Sequence, residues 1–520
     1  MGFIFPLDRD VVVTGNYGEI RPNHFHAGLD FCTDQVCNLP IKSVGDGYVS
    51  RIKISSVGYG RVLYITHPNG YVTVYAHQKK YAPKIDTYIK QAQLAQKKNE
   101  IEIFPNANEL PVKKGEIIGY TGNSGKSSGP HLHFEIREVK SEIPINPLLV
   151  YDIKDNIKPT LTHLVIYNTQ DTNNSVSQII SPINNKAGGK NIFKVSQNTF
   201  AVGFAGFDVA NATTNKNTIY EAKLKLDNQL IYHHQLNNIS FDNGRFVNVF
   251  SEKVGGTKFQ KCFSPTCYDV SIYKTLVNGG KIELKDTLLH TLELEVADEK
   301  GNITTYTFQV KAKRLTGYCA NKGLTNAWCF KDCIITKDDI EVSIKAGSLV
   351  RSCFLNTNNN KLGKVLVGNK NEILLHAFSL SVKIIKPIKG KENKMVMLNE
   401  DNCLIGKYEN GWFKTESKSF GVFTLAYDTV APTIIFQSSK KKSSASSSNK
   451  LKSINHISFK ITDNLSGIAD YNVYLNDVWK IAEYDAKSST VTCNFDEQTI
   501  KGKLKIEVID RVGNKTVFNY

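Results

Sequence analysis

The sequence predicts a mainly β protein made of several domains. Three observations carry that reading: short runs rich in Val, Ile and Tyr, alternation of apolar and polar residues within them, and turn signals between them. A length of 520 residues exceeds what one hydrophobic core serves, so three or four domains are expected. With 41% hydrophobic and 22% charged residues, the composition is that of a soluble globular chain, and no run approaches the roughly 20 apolar residues of a membrane helix.

The elements follow in order. Residues 47–54 (GYVSRIKI), 61–67 (RVLYITH) and 71–77 (YVTVYAH) read as strands joined by turns at Val57-Gly58-Tyr59-Gly60 and Pro68-Asn69-Gly70. Residues 79–100 contain helix formers after Pro83 and predict a helix, within an insertion spanning about 79–111. Strands resume at KKGEIIGYTG and HLHFEIRE, and Asn146-Pro147-Leu148 marks the exit from a first domain placed at 1–157. The strand-and-turn pattern that follows predicts a β-sandwich at 158–316, a β-rich unit at 317–430 and an Ig-like β-sandwich at 431–520. Asp298-Glu-Lys-Gly-Asn302 and Asp510-Arg-Val-Gly-Asn514 mark the same hairpin in two of these units. Residues 437–450, QSSKKKSSASSSNK, read as a solvated loop after a junction at Asp428-Thr-Val-Ala-Pro432.

The net charge of +16 favours an acidic polymer or surface without choosing among them. Through Pro147 there are 17 Lys plus Arg against 14 Asp plus Glu, so the excess lies downstream. The Lys-rich loop lacks interleaved aromatics, and nucleic acid is not an expected partner. Gly122-Asn-Ser-Gly125 and Lys126-Ser-Ser-Gly129 lack the Walker spacing, which leaves them as a loop leading into HLH. Ten cysteines are too few for a disulfide scaffold, although Cys32/Cys37 and Cys262/Cys267 are spaced to close small loops. The first ten residues carry no basic and apolar leader, and the chain is read as the mature form of an exported protein.

Six of the twelve histidines precede residue 134, and four of them fall in His26-Ala-Gly-Leu-Asp30, Tyr75-Ala-His77 and His131-Leu-His133. A catalytic zinc site uses three His, Asp, Glu or Cys ligands and keeps one position open, which makes His26, Asp30 and one of His131 and His133 the candidates. Residues i and i+2 of a strand share a face, so His131 and His133 point into one groove, one for metal and one for protons. By the same alternation, Tyr71, Thr73, Tyr75 and His77 share a face, with His77 at the strand end. Gly28 lets the backbone bend between two ligands. The remaining histidines, His24 at the rim among them, read as structural.

The segments FHAGLDF (25–31), VGDGYVSRI (44–52), YGRVLYITHPNGYVTVYAH (59–77) and VKKGEIIGYTGNSGKSSGPHLHFEI (112–136) resemble the lysostaphin-type, LytM-like zinc metallopeptidases over nearly the whole first domain. GNYGEIRPNHFHAGLDF resembles their Bacteroidota branch. The resemblance implies one Zn2+ held by His26, Asp30 and His133, with His77 and His131 as catalytic histidines. It further implies a metalloendopeptidase that cuts peptidoglycan stems or cross-links in the periplasm or cell envelope. His131 would be the general base and His77 would stabilise the oxyanion. The β-sandwich units would position the enzyme or contact an envelope protein. The alternative from another class is a catalytically silent LytM-like envelope binding protein or hydrolase activator; such proteins usually lose ligands, and the full set is present here. The insertion after His77 is placed to wall the groove or to act as a lid.

Overall fold

A computed structural model describes residues 2–169, 176–180, 192–211, 213–264, 270–313, 325–360, 364–400, 402–437, 456–495 and 502–520. The chain is mainly β. Apart from Gln437, the Lys-Ser segment lies outside the described residues, as do Cys267 and Cys319. Cys32, Cys37 and Cys262 are free thiols, so the 32/37 loop is not closed by a disulfide, and Cys329 is disulfide-bonded.

A nine-stranded sheet organises the first 150 residues. Along its main path run Val13–Gly15, Leu29–Cys32, His131–Glu138, Tyr71–Ala76, Arg61–Thr66, Gly47–Ile54 and Ile101–Ile103, every neighbour antiparallel. The hairpins expected from sequence are present, with Gly58, Gly60 and Gly70 supplying the positive φ of their turns. One face of the sheet buries Leu29, Phe31, Leu63, Ile65, Tyr75, Phe134 and Ile136 in the main core. The other face carries Val62, Tyr64, Val74 and Ala76 and leads to the histidines.

The insertion is helical only over Pro83–Gln96, which starts on Pro83 and buries Ile85, Ile89 and Gln93. Its second half adds Ile101–Ile103 and Pro111–Val112 to the edge of the strand Gly47–Ile54. It docks on the far end of the chain: Asn99 donates to Tyr471 O at 2.7 Å and accepts from Ala482 N at 2.8 Å. The insertion therefore braces the edge of the sheet against the far end of the chain.

Downstream, two six-stranded sheets enclose a shared core that includes Leu164, Phe204, Leu224 and Leu294. The main core extends into this unit through Leu236, Ile239, Phe246 and Phe250, with the Phe25 and Phe250 rings 5.6 Å apart. A second nine-stranded sheet follows from Cys333 to Tyr427, then two four-stranded sheets from Thr433 to Asn519.

The hairpin shared by sequence is shared in atomic detail. Asp298 Oδ1 accepts from the backbone of Lys300 and Asn302, each at 2.9 Å, and Asp510 Oδ1 accepts from Val512 at 3.0 Å and Asn514 at 2.7 Å. The Asn302 amide bridges Asp298 to Asp155 O, and the Asn514 amide bridges Asp510 to Asp428 O. Each unit is pinned to its incoming linker this way.

His234 lies fully buried against Phe250, its Nδ1 2.9 Å from the Tyr232 hydroxyl. Burial, reinforced by His233, lowers its pKa to about 3. A histidine with a depressed folded pKa binds fewer protons folded than unfolded, so its contribution is full above the unfolded value near 6.5 and is lost as pH falls toward 3. His234→Gln is expected to flatten the acid limb of a stability–pH curve between pH 6.5 and 3 by up to about 5 kcal/mol, read by denaturant unfolding. An unchanged slope would contradict this.

Candidate metal centre

Strand register builds the site. His133 lies directly opposite Asp30 on one side and Ala76 on the other, and His131 lies opposite Cys32. Directly opposed residues share a face, so Asp30, His131 and His133 project together. His26 joins from the turn between the strands His24–Phe25 and Leu29–Cys32. At that turn a Cβ on Gly28 would sit 2.1 Å from Phe134 O, so glycine serves the close approach of two strands and not the bend itself. Gly28→Ala is expected to cost roughly 1–3 kcal/mol and to displace His26 and Asp30; thermal unfolding checks the first and metal content the second.

His77 reaches the site by a route that strand alternation does not describe. Ala76 faces His133, so a continued strand would send residue 77 toward the core with Tyr75, which packs on Phe134 with ring centroids 5.3 Å apart. The strand ends at Ala76, and His77 takes φ 57°, which brings its ring within 4.8 Å of the His131 ring. The expected face shared by Tyr71, Thr73, Tyr75 and His77 thus fails at its last member. Left-handed backbone on a non-glycine residue costs energy and concentrates at functional sites.

Around Asp30 Oδ1 lie His133 Nδ1 at 2.9 Å, His26 Nε2 at 3.1 Å and His131 Nε2 at 3.5 Å. Burial would raise the Asp30 carboxyl, yet the charge of His26 and hydrogen bonds with His131, His133 and His26 hold it well below the usual range. Asp30 Oδ2 accepts from Arg21 Nη2 at 2.5 Å, which reserves Oδ1 for the histidine side.

The partners behind the rings fix their tautomers, because a carbonyl or carboxylate can only accept. His26 Nδ1 donates to Asn16 O at 2.7 Å, and His133 Nε2 donates to Glu135 Oε1 at 2.7 Å. His77 Nδ1 donates to Ser124 O at 2.8 Å and His131 Nδ1 to Gly129 O at 2.9 Å. Glu135 is fully buried and is held by Arg137 at 2.6 Å and Tyr59 at 2.5 Å. Burial alone would raise Glu135, but Arg137 and His133 bring it down to about 2.

His26 Nε2 and His133 Nδ1 therefore face each other at 2.8 Å as two lone pairs when both rings are neutral. Such a pair requires a positive charge between it. A proton meets the need: although burial opposes charge on His133, hydrogen bonds with Asp30 and Glu135 raise it to about 9. A divalent metal meets it more fully, since His26, Asp30 and His133 are all buried with ligand atoms within 4.8 Å of one another. Two imidazoles and one carboxylate suit zinc, and the residues present fit it.

The groove over this centre has a volume of about 600 Å³. Its near wall includes Arg21, His24, Tyr59 and Lys126; its far wall is Ile239, Phe241, Arg245 and Lys418, from beyond the first domain. No residue of the insertion lines it, so the insertion is neither wall nor lid in this structure. Arg245 is anchored on Leu374 O at 2.7 Å and Lys418 O at 3.0 Å.

Sequence reasoning missed Arg21, Glu135, Asn16 and the far wall. For Glu135 a signal exists, since it continues the i, i+2 series of His131 and His133. A backbone carbonyl such as Asn16 O leaves none.

Residues 24–97 and 106–147 match the model of Peptidase family M23, and residues 328–428 match that of the Zu5-like domain. The DD-carboxypeptidase/endopeptidase Mpg of Neisseria meningitidis is 33% identical over 125 residues, covering 24% of this chain and 22% of that protein. Peptidoglycan DD-endopeptidase ShyB of Vibrio cholerae is 30% identical over 156 residues, covering 28% of this chain and 30% of that protein. The catalytic domain of lysostaphin from Staphylococcus simulans aligns at 23% identity over 27% of this chain and 90% of that one, with a TM-score of 0.20. The N-terminal region is a LytM-like domain of Peptidase family M23. The match to these curated relatives spans under a third of their length.

Proposed function

We propose that the protein is a zinc-dependent endopeptidase that hydrolyses peptide bonds of peptidoglycan stems or cross-links at the cell envelope. The observation that carries this reading is the opposed, buried lone pairs of His26 and His133 beside Asp30 Oδ1, each ring oriented from behind. The names of the M23 relatives supply the substrate class. Bound zinc supplies a Lewis acid for the scissile carbonyl and lowers the pKa of water toward neutrality.

The chain's own residues do the rest. His26, Asp30 and His133 are the ligands, and Asn16 O and Glu135 hold the two rings in the ligating tautomer. His131, with Nδ1 spent on Gly129, presents Nε2 to the site, where it takes the water's proton and passes it to the leaving amine. His77 likewise presents Nε2, and burial with His133 and His131 nearby keeps it neutral, lowered to about 3. Its hydrogen bond to the oxyanion uses a proton taken up at Nε2 from solvent water in the open groove, which the developing negative charge favours. Arg21, Lys126, Arg245 and Lys418 give the groove a basic lining suited to stem carboxylates. The downstream β units, whose division at 158–316, 317–430 and 431–520 is part of this proposal, supply the far wall.

Incubation of the full chain with purified sacculi, followed by chromatography of the released muropeptides, tests the reading. New stem termini that disappear with chelator and in His131→Ala are expected. Intact sacculi in the presence of zinc-loaded protein would sink it.

A further inference from the structure

Behind the metal centre, where the first domain meets the second unit, lies a small cavity of about 20 Å³ lined by Asn16, Asp155, Asp208 and Glu299. Oxygens of Asp155, Asp208 and Asp298 lie within 4.8 Å of one another there. Two independent features set the place apart from an ordinary acidic cluster. Asp208 is 5% exposed and its Oδ1 has no hydrogen-bond partner; Asn16 is 3% exposed and its Oδ1 has none either. Uncompensated buried oxygens are costly, and here they come from two domains and line one cavity.

The surroundings do not neutralise them. Lys300, on the same cavity, donates instead to Tyr151 O and pairs with Asp152. Asp298 is oriented by Lys300 N, Asn302 N and the Asn302 amide, which leaves part of Oδ2 open. Glu299 accepts from the Asn146 amide at 3.0 Å and from its own backbone N–H, neither of which brings a positive charge. Burial, then Glu299, Asp298 and Asp155, push Asp208 up to about 8, a measure of negative charge crowded without a counter-ion.

We propose that this cavity binds a hard divalent cation of the Ca2+ class through Asp155, Asp208, Asp298 and Asn16 Oδ1, locking the second unit to the peptidase domain. An all-oxygen donor set with several carboxylates selects Ca2+ over zinc, and room for about one water-sized species suits a single ion. Because Asn16 O holds His26 Nδ1 at 2.7 Å, the ion fixes a zinc ligand from behind. The site stands whether or not the groove hydrolyses peptidoglycan.

The test is a calorimetric titration of CaCl2 into the full chain dialysed against EGTA, with thermal unfolding at each calcium level. Binding with a dissociation constant on the order of 10⁻⁴ M or tighter, together with a rise in Tm, is expected. Asp208→Asn and Asp155→Asn should each weaken it at least about tenfold. Asp463→Asn, in the related C-terminal cluster of Asp428, Asp463 and Asp510, should leave it intact. No heat and no Tm shift at 10 mM calcium (roughly a hundredfold above that constant) would overturn the proposal. So would binding that survives both of the first two variants or vanishes in Asp463→Asn.

Discussion

Asp30→Ala is expected to lower muropeptide release by roughly 10³-fold or more, about 4 kcal/mol of barrier, and to remove bound zinc. The size follows from the position of Oδ1, which lies within 3.5 Å of nitrogens of His26, His131 and His133. Without it, the ligating rings lose the one carboxylate that faces them, and the Arg21 guanidinium, left with Glu19 alone, opposes a dication. Asp30→Asn separates charge from shape: it keeps the volume, still loses the anionic ligand, and should fall nearly as far. Activity above a tenth of wild type in both variants would show that Asp30 does not bind the metal.

Glu135→Gln is expected to act on two quantities together. Glu135 holds His133 Nε2 on one oxygen and Arg137 on the other, and Arg137 is 4% exposed. Removing the carboxylate leaves a buried guanidinium with only the exposed Glu142 at 3.6 Å, a loss of about 3–5 kcal/mol in unfolding free energy. It also loosens the hold on the tautomer of His133, the proposed metal ligand, for which a roughly 10–100-fold loss of zinc affinity is typical. Denaturant unfolding and competitive chelator titration measure the two effects. A stability loss with unchanged zinc affinity would mean that Glu135 serves the core alone.

How much of this was legible in the sequence depends on the range of the interaction. Strand alternation placed His131 and His133 on one face, and antiparallel register does bring them to Asp30. The hairpins of 47–77 carried their own turn glycines and could be read locally. His77 was visible as a strand-end histidine, but its route to the site was not, because its left-handed backbone has no signature in the residues around it. The helix was visible as far as its Pro83 start, whereas the edge strands of the insertion at Ile101–Ile103 and Pro111–Val112 are too short to show a period. The far wall at Ile239–Arg245 and Lys418 is hidden for a different reason: it is more than a hundred residues from the chemistry and arrives through the shared core of Phe25 and Phe250.

The repeated Asp-Gly-Asn hairpins show how a short match can carry real structure. Asp298 and Asp510 each organise two backbone amides, and the partner Asn of each ties the hairpin to a linker aspartate. A few residues therefore pin each hairpin to the linker that enters its unit. In the first of these joints the linker aspartate Asp155 also lines the cavity next to Asn16, whose carbonyl accepts from His26 Nδ1.

The central claim is that His26, Asp30 and His133 hold one zinc, and metal analysis of the purified full chain tests it most directly. After incubation with zinc and desalting, the account predicts one tightly held zinc that disappears in His133→Ala and stays in His131→Ala. Absence of zinc from the wild-type chain, or zinc retained in His133→Ala, would contradict it.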